Sequence, residues 1–260
     1  MPKGLGNVRL KRPFMDEIIQ LSKVPSLGFL IQIVKIMKKE LSLMPLMEAG
    51  VHFGYSRTRR HPTVTPFLYG TKGGVDIIDL EKTAPMMEAA ANFIAELGAA
   101  GKVVLFVGVK PEARNQVMDV AQSLKMPYVT ERWIGGMLTN FPEIKRRINK
   151  LETLREDKTN GSFEKYTKKE QLLLTREMER LNKYFNGLTG LTKMPDAVVI
   201  VDSKKEHIAV KEARKIGIPV VAIGNTDCSI RGITHPIIAN DSSASSIKAV
   251  LGILKDAFQK

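Results

Sequence analysis

Three short runs of the chain are apolar almost without interruption: KVVLFVGV (102–109), DAVVIVDS (196–203) and IPVVAIGN (218–225). A strand with one wet face alternates apolar and polar residues. Continuous Val, Ile, Leu and Phe instead predicts parallel strands with helices over both faces. Helical periodicity follows two of the runs. Val117, Val120, Ala121 and Leu124 share one face of PEARNQVMDVAQSLKM. In KEHIAVKEARKIG the residues predicted to face inward are Ile208, Ala213 and Ile216, with Gly217 placed to stop the helix. Upstream, GVDIIDL (74–80) reads as another strand leading into a helix over about 83–98. Met87, Ala90, Ala91, Ile94 and Leu97 form that helix's stripe, and Pro85 is expected in its first turn, where a missing N–H does no harm. Short strands at PYVT (127–130) and PIIA (236–239) and a last helix over about 243–258 complete an alternation that means α/β.

The middle of the chain breaks this rhythm. Ile144, Ile148, Leu151 and Leu154 recur at 4-3-3 spacing, and Leu174, Met178, Leu181 and Phe185 at 4-3-4, so each segment carries a narrow apolar seam. Between them DKTNGSF (157–163) supplies a turn, and Thr167 with Glu170 fits a capping box opening the second helix. The reading is an antiparallel coiled-coil helical hairpin over 142–188, inserted into an α/β body formed by 41–141 and 189–260. Residues 1–40 read either as a partly disordered extension or as an amphipathic helix behind a basic lead. Their apolar run at 27–37 contains Gln32 and Lys35 and is shorter than the ~20 residues a membrane helix needs.

Charge changes the picture. The chain of 260 residues carries a net +13, which points to a polyanionic partner. The excess is uneven: +7 over residues 1–62, −1 over 63–140, +5 over 141–195 and +2 over 196–260. Concentration at the front and in the hairpin favours a nucleic-acid footprint over a uniformly solvated basic shell. The lone cysteine, Cys228, has no internal disulfide partner, which fits a reducing compartment.

Catalytic signatures are sparse. The sequence has no G-x-G-x-x-G after a strand, no G-x-x-x-x-G-K-[ST], no G-x-S-x-G and no H-E-x-x-H. Polar residues do gather at the predicted strand ends: Asp202, Ser203 and Lys204, then Asn225, Thr226 and Asp227, then Asp241. Helix caps and turns explain most of them. Two readings stay open there: a divalent ion near Asp202 and Asp227, with His52 or His207 as a further ligand, and a phosphorylated metabolite bound by an enzyme.

Several motifs occur in a fixed order: AGVHFGYSRTRRHPTVTPFLYGTKGGVDIIDLEKT (49–83), LFVGVK (105–110), RWIGGMLTNF (132–141), the T-K-K-E helix start, and MPDAVVIVDSKKEHIAVKEARKIGIPVVAIGNTD (194–227). In that order and spacing the chain, from about residue 41 to 260, resembles the bacterial small-subunit ribosomal protein S-two family. The resemblance implies a Rossmann-like α/β body with a coiled-coil hairpin and no catalytic activity. It also implies a cytoplasmic place in the ribosome, with neither membrane attachment nor homo-oligomers. The expected partners are small-subunit ribosomal RNA, neighbouring ribosomal proteins and, in many bacteria, ribosomal protein one.

Within that reading, Arg57, Arg59, Arg60 and His61 stand in a proline-bounded loop suited to two-pronged phosphate contacts, with Lys72 and Lys110 nearby in the motifs. Arg132 and Asn140 are expected to reach RNA from the RWIGGMLTNF loop, and Trp133 either stacks there or anchors the loop in the core. On the hairpin, Lys145, Arg146, Arg147 and Lys150 form a basic arc near the base, and Lys165, Lys168 and Lys169 lie near the tip. The chain departs from the family pattern in three places. H-F-G-H reads His52-Phe53-Gly54-Tyr55, W-N-P-x-M reads Arg60-His61-Pro62-Thr63-Val64, and an extension precedes the usual start.

Overall fold

The structure is a computed structural model that describes residues 43–260. The expectations for residues 1–40 lie outside the described residues. A short helix α1 (Leu43–Glu48) leads into a three-stranded antiparallel sheet of β1 (Phe53–Ser56), β2 (Leu68–Lys72) and β3 (Val75–Ile78), in the order β1-β3-β2. Only the last of these strands is visible in the apolar pattern. The other two are short, β1 mostly half-buried and β2 mostly exposed, and neither buries a residue, so they carry little hydrophobic periodicity.

Helix α2 (Leu80–Ala99) begins earlier than its apolar stripe, because the Asp79 side chain caps it by accepting the Glu81 N–H at 3.1 Å. Pro85 is therefore the sixth residue of the helix rather than a first-turn residue. Its ring is exposed, as is Glu81 one turn earlier, whose carbonyl lacks the N–H that a residue other than proline would supply.

The main sheet contains β4 (Val104–Val107), β5 (Tyr128–Val129), β6 (Ala197–Val201), β7 (Val220–Gly224) and β8 (His235–Ile238). All its pairings are parallel and its order is β5-β4-β6-β7-β8. Every residue of β4, β6 and β7 is buried, as their uninterrupted apolar sequences require. Helix α2, α3 (Pro111–Leu124) and α7 (Ala244–Phe258) pack together against one face.

The opposite face carries Leu105, Val107, Val198, Ile200 and Val220. These join one core with helix α6 (His207–Ile216), the Trp133 loop, α4 (Phe141–Thr159) and α5 (Lys168–Phe185). Helix α6 is turned relative to the expected inward set. Ile208 and Ile216 are 46% and 37% exposed, while Ala209, Glu212 and Ala213 are buried. The small Ala209 and Ala213 let the helix sit close to the sheet, and Glu212 on the same face has a polar partner to reach.

The two middle helices pack on one another through the predicted seams. Ile144, Ile148, Leu151, Leu154, Leu181 and Phe185 are buried, with Leu174 and Met178 against them. Thr167 and Glu170 form the full capping box, and Gly161 adopts φ 70° in the turn between the helices. Lys150 pairs with Glu177, and Arg155 donates to Asn182 and Asn186 across the interface. Among the described residues no helix is long and apolar enough to cross a membrane.

One close approach fixes how α2 meets α7. A Cβ at Gly98 would stand 2.2 Å from the Phe258 carbonyl oxygen. Gly98→Ala is expected to lower unfolding stability by roughly 1–3 kcal/mol through overpacking, as read by denaturant titration. Gly252→Ala, where a Cβ meets nothing within 4 Å, is the matched control.

Candidate nucleic-acid interface

Open parallel sheets bind ligands beyond the carboxyl ends of their strands. In this chain the small antiparallel sheet and its flanking segments close that region. Tyr55 N–H donates to Thr226 Oγ1 at 3.0 Å, His61 N–H to the Thr226 carbonyl at 2.8 Å, and Asn240 N–H to the Val51 carbonyl at 3.0 Å. A Cβ at Gly54 would lie 2.6 Å from Thr226 Cγ2, so only glycine permits the approach.

Two of the polar residues gathered at the strand ends, Asp202 and Asp241, meet Lys110. Its Nζ donates to Tyr55 Oη at 2.8 Å and stands 3.1 Å from Asp241 Oδ1 and 3.7 Å from Asp202 Oδ2. Burial opposes charge on this lysine, but the Tyr55 hydroxyl and the Asp241 carboxylate outweigh it and push its pKa up. Burial likewise raises Asp241, with Lys110 acting against it.

Asp202, Cys228 and Asp241 each offer a ligand atom within 4.8 Å of the others, but the Lys110 ammonium already pairs with both carboxylates and offsets one of their two charges. Asp227 is engaged elsewhere, accepting from Lys204 Nζ at 2.9 Å. Burial, reinforced by Asp202 and Asp227, pushes the Cys228 thiol up to about 12, which keeps it protonated and inert. His207 is exposed on α6, its Nδ1 3.3 Å from the Lys204 carbonyl oxygen.

The basic loop divides into two kinds of residue. Arg57 and Arg59 lie on a single 3-10 turn, exposed, and enter no ion pair among the described residues. The Arg59 guanidinium lies 5.6 Å from the centroid of the Tyr55 ring. Lys72 is exposed at the end of β2. Arg60, expected to grip phosphate, instead turns inward. It holds the fully buried Asp76 with both Nε and Nη2 and also donates to Thr71 Oγ1 at 2.8 Å. Those hydrogen bonds keep the Asp76 carboxyl below the usual carboxylate range. His61 accepts the Thr63 N–H at 3.3 Å on Nδ1 and so caps the next 3-10 turn, Pro62–Phe67.

The RWIGGMLTNF loop is built around Glu212 of α6. Its Oε1 accepts the Trp133 indole N–H at 3.2 Å and the Gly136 N–H at 2.8 Å. Its Oε2 accepts the N–H groups of Leu138 at 3.0 Å and Thr139 at 3.2 Å and the Thr139 hydroxyl at 3.2 Å. Burial works against this carboxylate, but the donors from Gly136, Leu138, Thr139 and Trp133 prevail and lower its pKa. Trp133 is thus a core anchor, 6% exposed, and unable to stack on a ligand. Arg132 and Asn140, at either end of the loop, are exposed.

At the hairpin base Arg146 is 82% exposed and Arg147 49%, each making only a loose contact with Glu143, at 3.5 and 3.7 Å. Lys145 donates to the Thr192 carbonyl at 3.0 Å, and Lys150 is held by Glu177. Sequence reasoning missed Asp76, Tyr55 and Glu212 as partners, and Arg180 and Tyr184 as neighbours of Arg132 and Arg147 around one cleft. Glu212 alone had a signal, since it shares a helical face with Ala209 and Ala213.

A closed strand-end crevice and an exposed basic rim define an α/β protein whose chemistry lies on its surface, suited to holding a polyanion. The family model described as Ribosomal protein S2 matches residues 46–260, and the chain belongs to that family. Its members are structural proteins rather than enzymes. The chain is 43% identical over 217 residues to "Small ribosomal subunit protein uS2" of Coprothermobacter proteolyticus, covering 84% of this chain and 81% of that one. It is 46% identical over 212 residues to the protein of the same name from Dictyoglomus thermophilum, covering 82% and 86%.

Two substitutions probe the buried carboxylates. Glu212→Ala strands several buried donors and is expected to cost on the order of 3 kcal/mol in chemical denaturation. Because the folded pKa of Glu212 lies below its unfolded value, its contribution is present above about pH 4.3 and is lost as pH falls through the folded value. Glu206 behaves oppositely: burial, aided by Asp202, raises it to about 7. The folded state then binds the extra proton, so stability falls as pH rises from about 4.3 to 7. Glu206→Gln is therefore expected to raise the melting temperature clearly at pH 8, less at pH 5, and to leave it nearly unchanged below about pH 4.

Proposed function

We propose that the chain is a structural constituent of the small ribosomal subunit that grips small-subunit ribosomal RNA from two basic projections on a rigid α/β mount. The first projection is the loop bearing Arg57 and Arg59, with Lys72 beside it. The second is the hairpin base with its adjoining loop, where Arg132, Asn140, Arg146 and Arg147 face outward. Arg60, Lys110 and Trp133 act inside the protein, keeping these surfaces in position. His61, Lys145 and Lys150 serve mainly as local structural ties.

The observation that carries this reading is the contrast between the two regions of charge. Exposed guanidinium groups on the projections make at most a cation–π contact or a loose ion pair, while the lysine at the strand ends is neutralised within the fold. Guanidinium forks suit phosphate oxygens, and RNA helices are read largely through shape, phosphates and 2′-hydroxyls. The names of the relatives support the same assignment. In the subunit the chain meets neighbouring ribosomal proteins, and ribosomal protein one is a candidate among them.

Two measurements test this. In lysates the chain is expected to sediment with small subunits; finding it chiefly at the top of the gradient counts against the proposal. Affinity for small-subunit ribosomal RNA should fall with salt at a log–log slope of about −0.7 to −0.9 per phosphate contact. Replacing Arg57 and Arg59 by Gln together should flatten that slope and reduce incorporation, with the melting temperature nearly unchanged. Arg60→Glu should instead lower the melting temperature, since it leaves the buried Asp76 facing a like charge.

A further inference from the structure

Between the Trp133 loop and the hairpin base lies a cleft of about 370 Å³. Three arginines from three separate elements line it: Arg132 from the loop, Arg147 from α4 and Arg180 from α5. Tyr184, half-buried one turn beyond Arg180, forms part of the wall, and Trp133 and Phe185 form a buried floor. Arg132 and Arg180 enter no ion pair among the described residues, and Arg147 has only its loose contact with Glu143. Three guanidinium groups around one concavity repel each other, an arrangement that an anion relieves. The cavity is near the lower end of the roughly 300–1,000 Å³ typical of small-ligand sites.

Its walls join two chemistries. Guanidinium forks bind phosphate oxygens in two-pronged hydrogen bonds, while the Tyr184 ring beside them, with the Lys183 ammonium 5.8 Å from its centroid, offers its other face for stacking. An unpaired nucleotide presents both complements, a phosphate and a π-face, whereas a paired base keeps its face inside the duplex. The floor is also fixed in advance. Glu212 holds Trp133 and the loop backbone, so little conformational freedom is lost when a ligand enters.

We propose that this cleft is a seat for one unpaired nucleotide of the RNA, its phosphate held by Arg132, Arg147 and Arg180 and its base laid against Tyr184. The seat rests on the RNA-binding reading above and specifies, within it, single-stranded rather than duplex recognition at this point.

The test uses the full chain with small-subunit ribosomal RNA, and with a fully paired RNA duplex as a second probe. Unaltered protein, Tyr184→Ala, Tyr184→Phe and Arg180→Glu are compared by filter binding across a salt series, each first checked by thermal unfolding. Tyr184→Ala is expected to weaken ribosomal RNA binding at least about fivefold, consistent with the loss of one base–aromatic stack. Tyr184→Phe keeps the ring and should restore binding. Arg180→Glu should weaken it and also flatten the salt slope, whereas duplex binding should respond to Arg180→Glu but not to Tyr184→Ala.

Equal ribosomal RNA affinity for all four proteins overturns the seat while leaving the RNA-binding reading intact. Equal losses on RNA and duplex with Tyr184→Ala also overturn it, since the ring then reads no unpaired base. Unchanged RNA affinity combined with lost incorporation into small subunits assigns the cleft to a neighbouring protein and overturns it too. An unaltered chain that fails to bind ribosomal RNA at all overturns both readings. If Tyr184→Ala fails to fold, the exposed Arg180→Glu decides, and its unaltered binding counts against the seat.

Discussion

The Glu212 carboxylate accepts five hydrogen bonds from the Trp133–Thr139 loop, and the proposed interface depends on that contact. A buried carboxylate is costly unless its oxygens are satisfied, and here both oxygens are. The same contact joins α6 to the loop that precedes α4, so it fixes the point where the hairpin leaves the body. Were the loop free, Arg132 would sample many directions and the entry to the hairpin would pivot. Gly135 and Gly136 let the backbone curl around the carboxylate, and Gly136 adopts φ 89° to do so.

A second constraint closes the place where α/β proteins usually carry ligands. The antiparallel sheet of β1, β2 and β3 lies across the strand ends, and Lys110 sits among Tyr55, Asp202 and Asp241. Tyr55 stands where the family pattern has histidine, and its hydroxyl completes the lysine's environment. The Arg60–Asp76 pair ties the basic loop to the neighbouring strand, leaving Arg57 and Arg59 outside. Inward-turned cations therefore stabilise the fold, and outward-turned ones remain for a partner.

Much of the fold was legible because its signals are repetitive. The uninterrupted apolar runs give β4, β6 and β7 because both sheet faces are covered, and the 4-3-3 and 4-3-4 seams give α4 and α5. The strands β1 and β2 escaped because they are short and bury no residue, so they need no apolar alternation. Helix α6 was turned wrongly because the burial of Ile208 and Ile216 was inferred from hydrophobicity alone. A carboxylate on the same face as Ala209 and Ala213 decided the orientation instead. Candidate contacts were less legible for a related reason. A lysine or arginine in a loop reads as free until the partner carboxylate is located, and Asp76 and Asp241 are brought to Arg60 and Lys110 only by tertiary structure.

The central claim is that guanidinium groups on the two projections, and not those inside the body, contact ribosomal RNA. Arginine modification by phenylglyoxal, mapped by mass spectrometry on the free chain and on assembled small subunits, tests it most directly. The account predicts that Arg57, Arg59, Arg132, Arg146 and Arg147 react in the free chain and are protected in the particle, while Arg60 reacts poorly in both. Equal reactivity of the five in both states would contradict it.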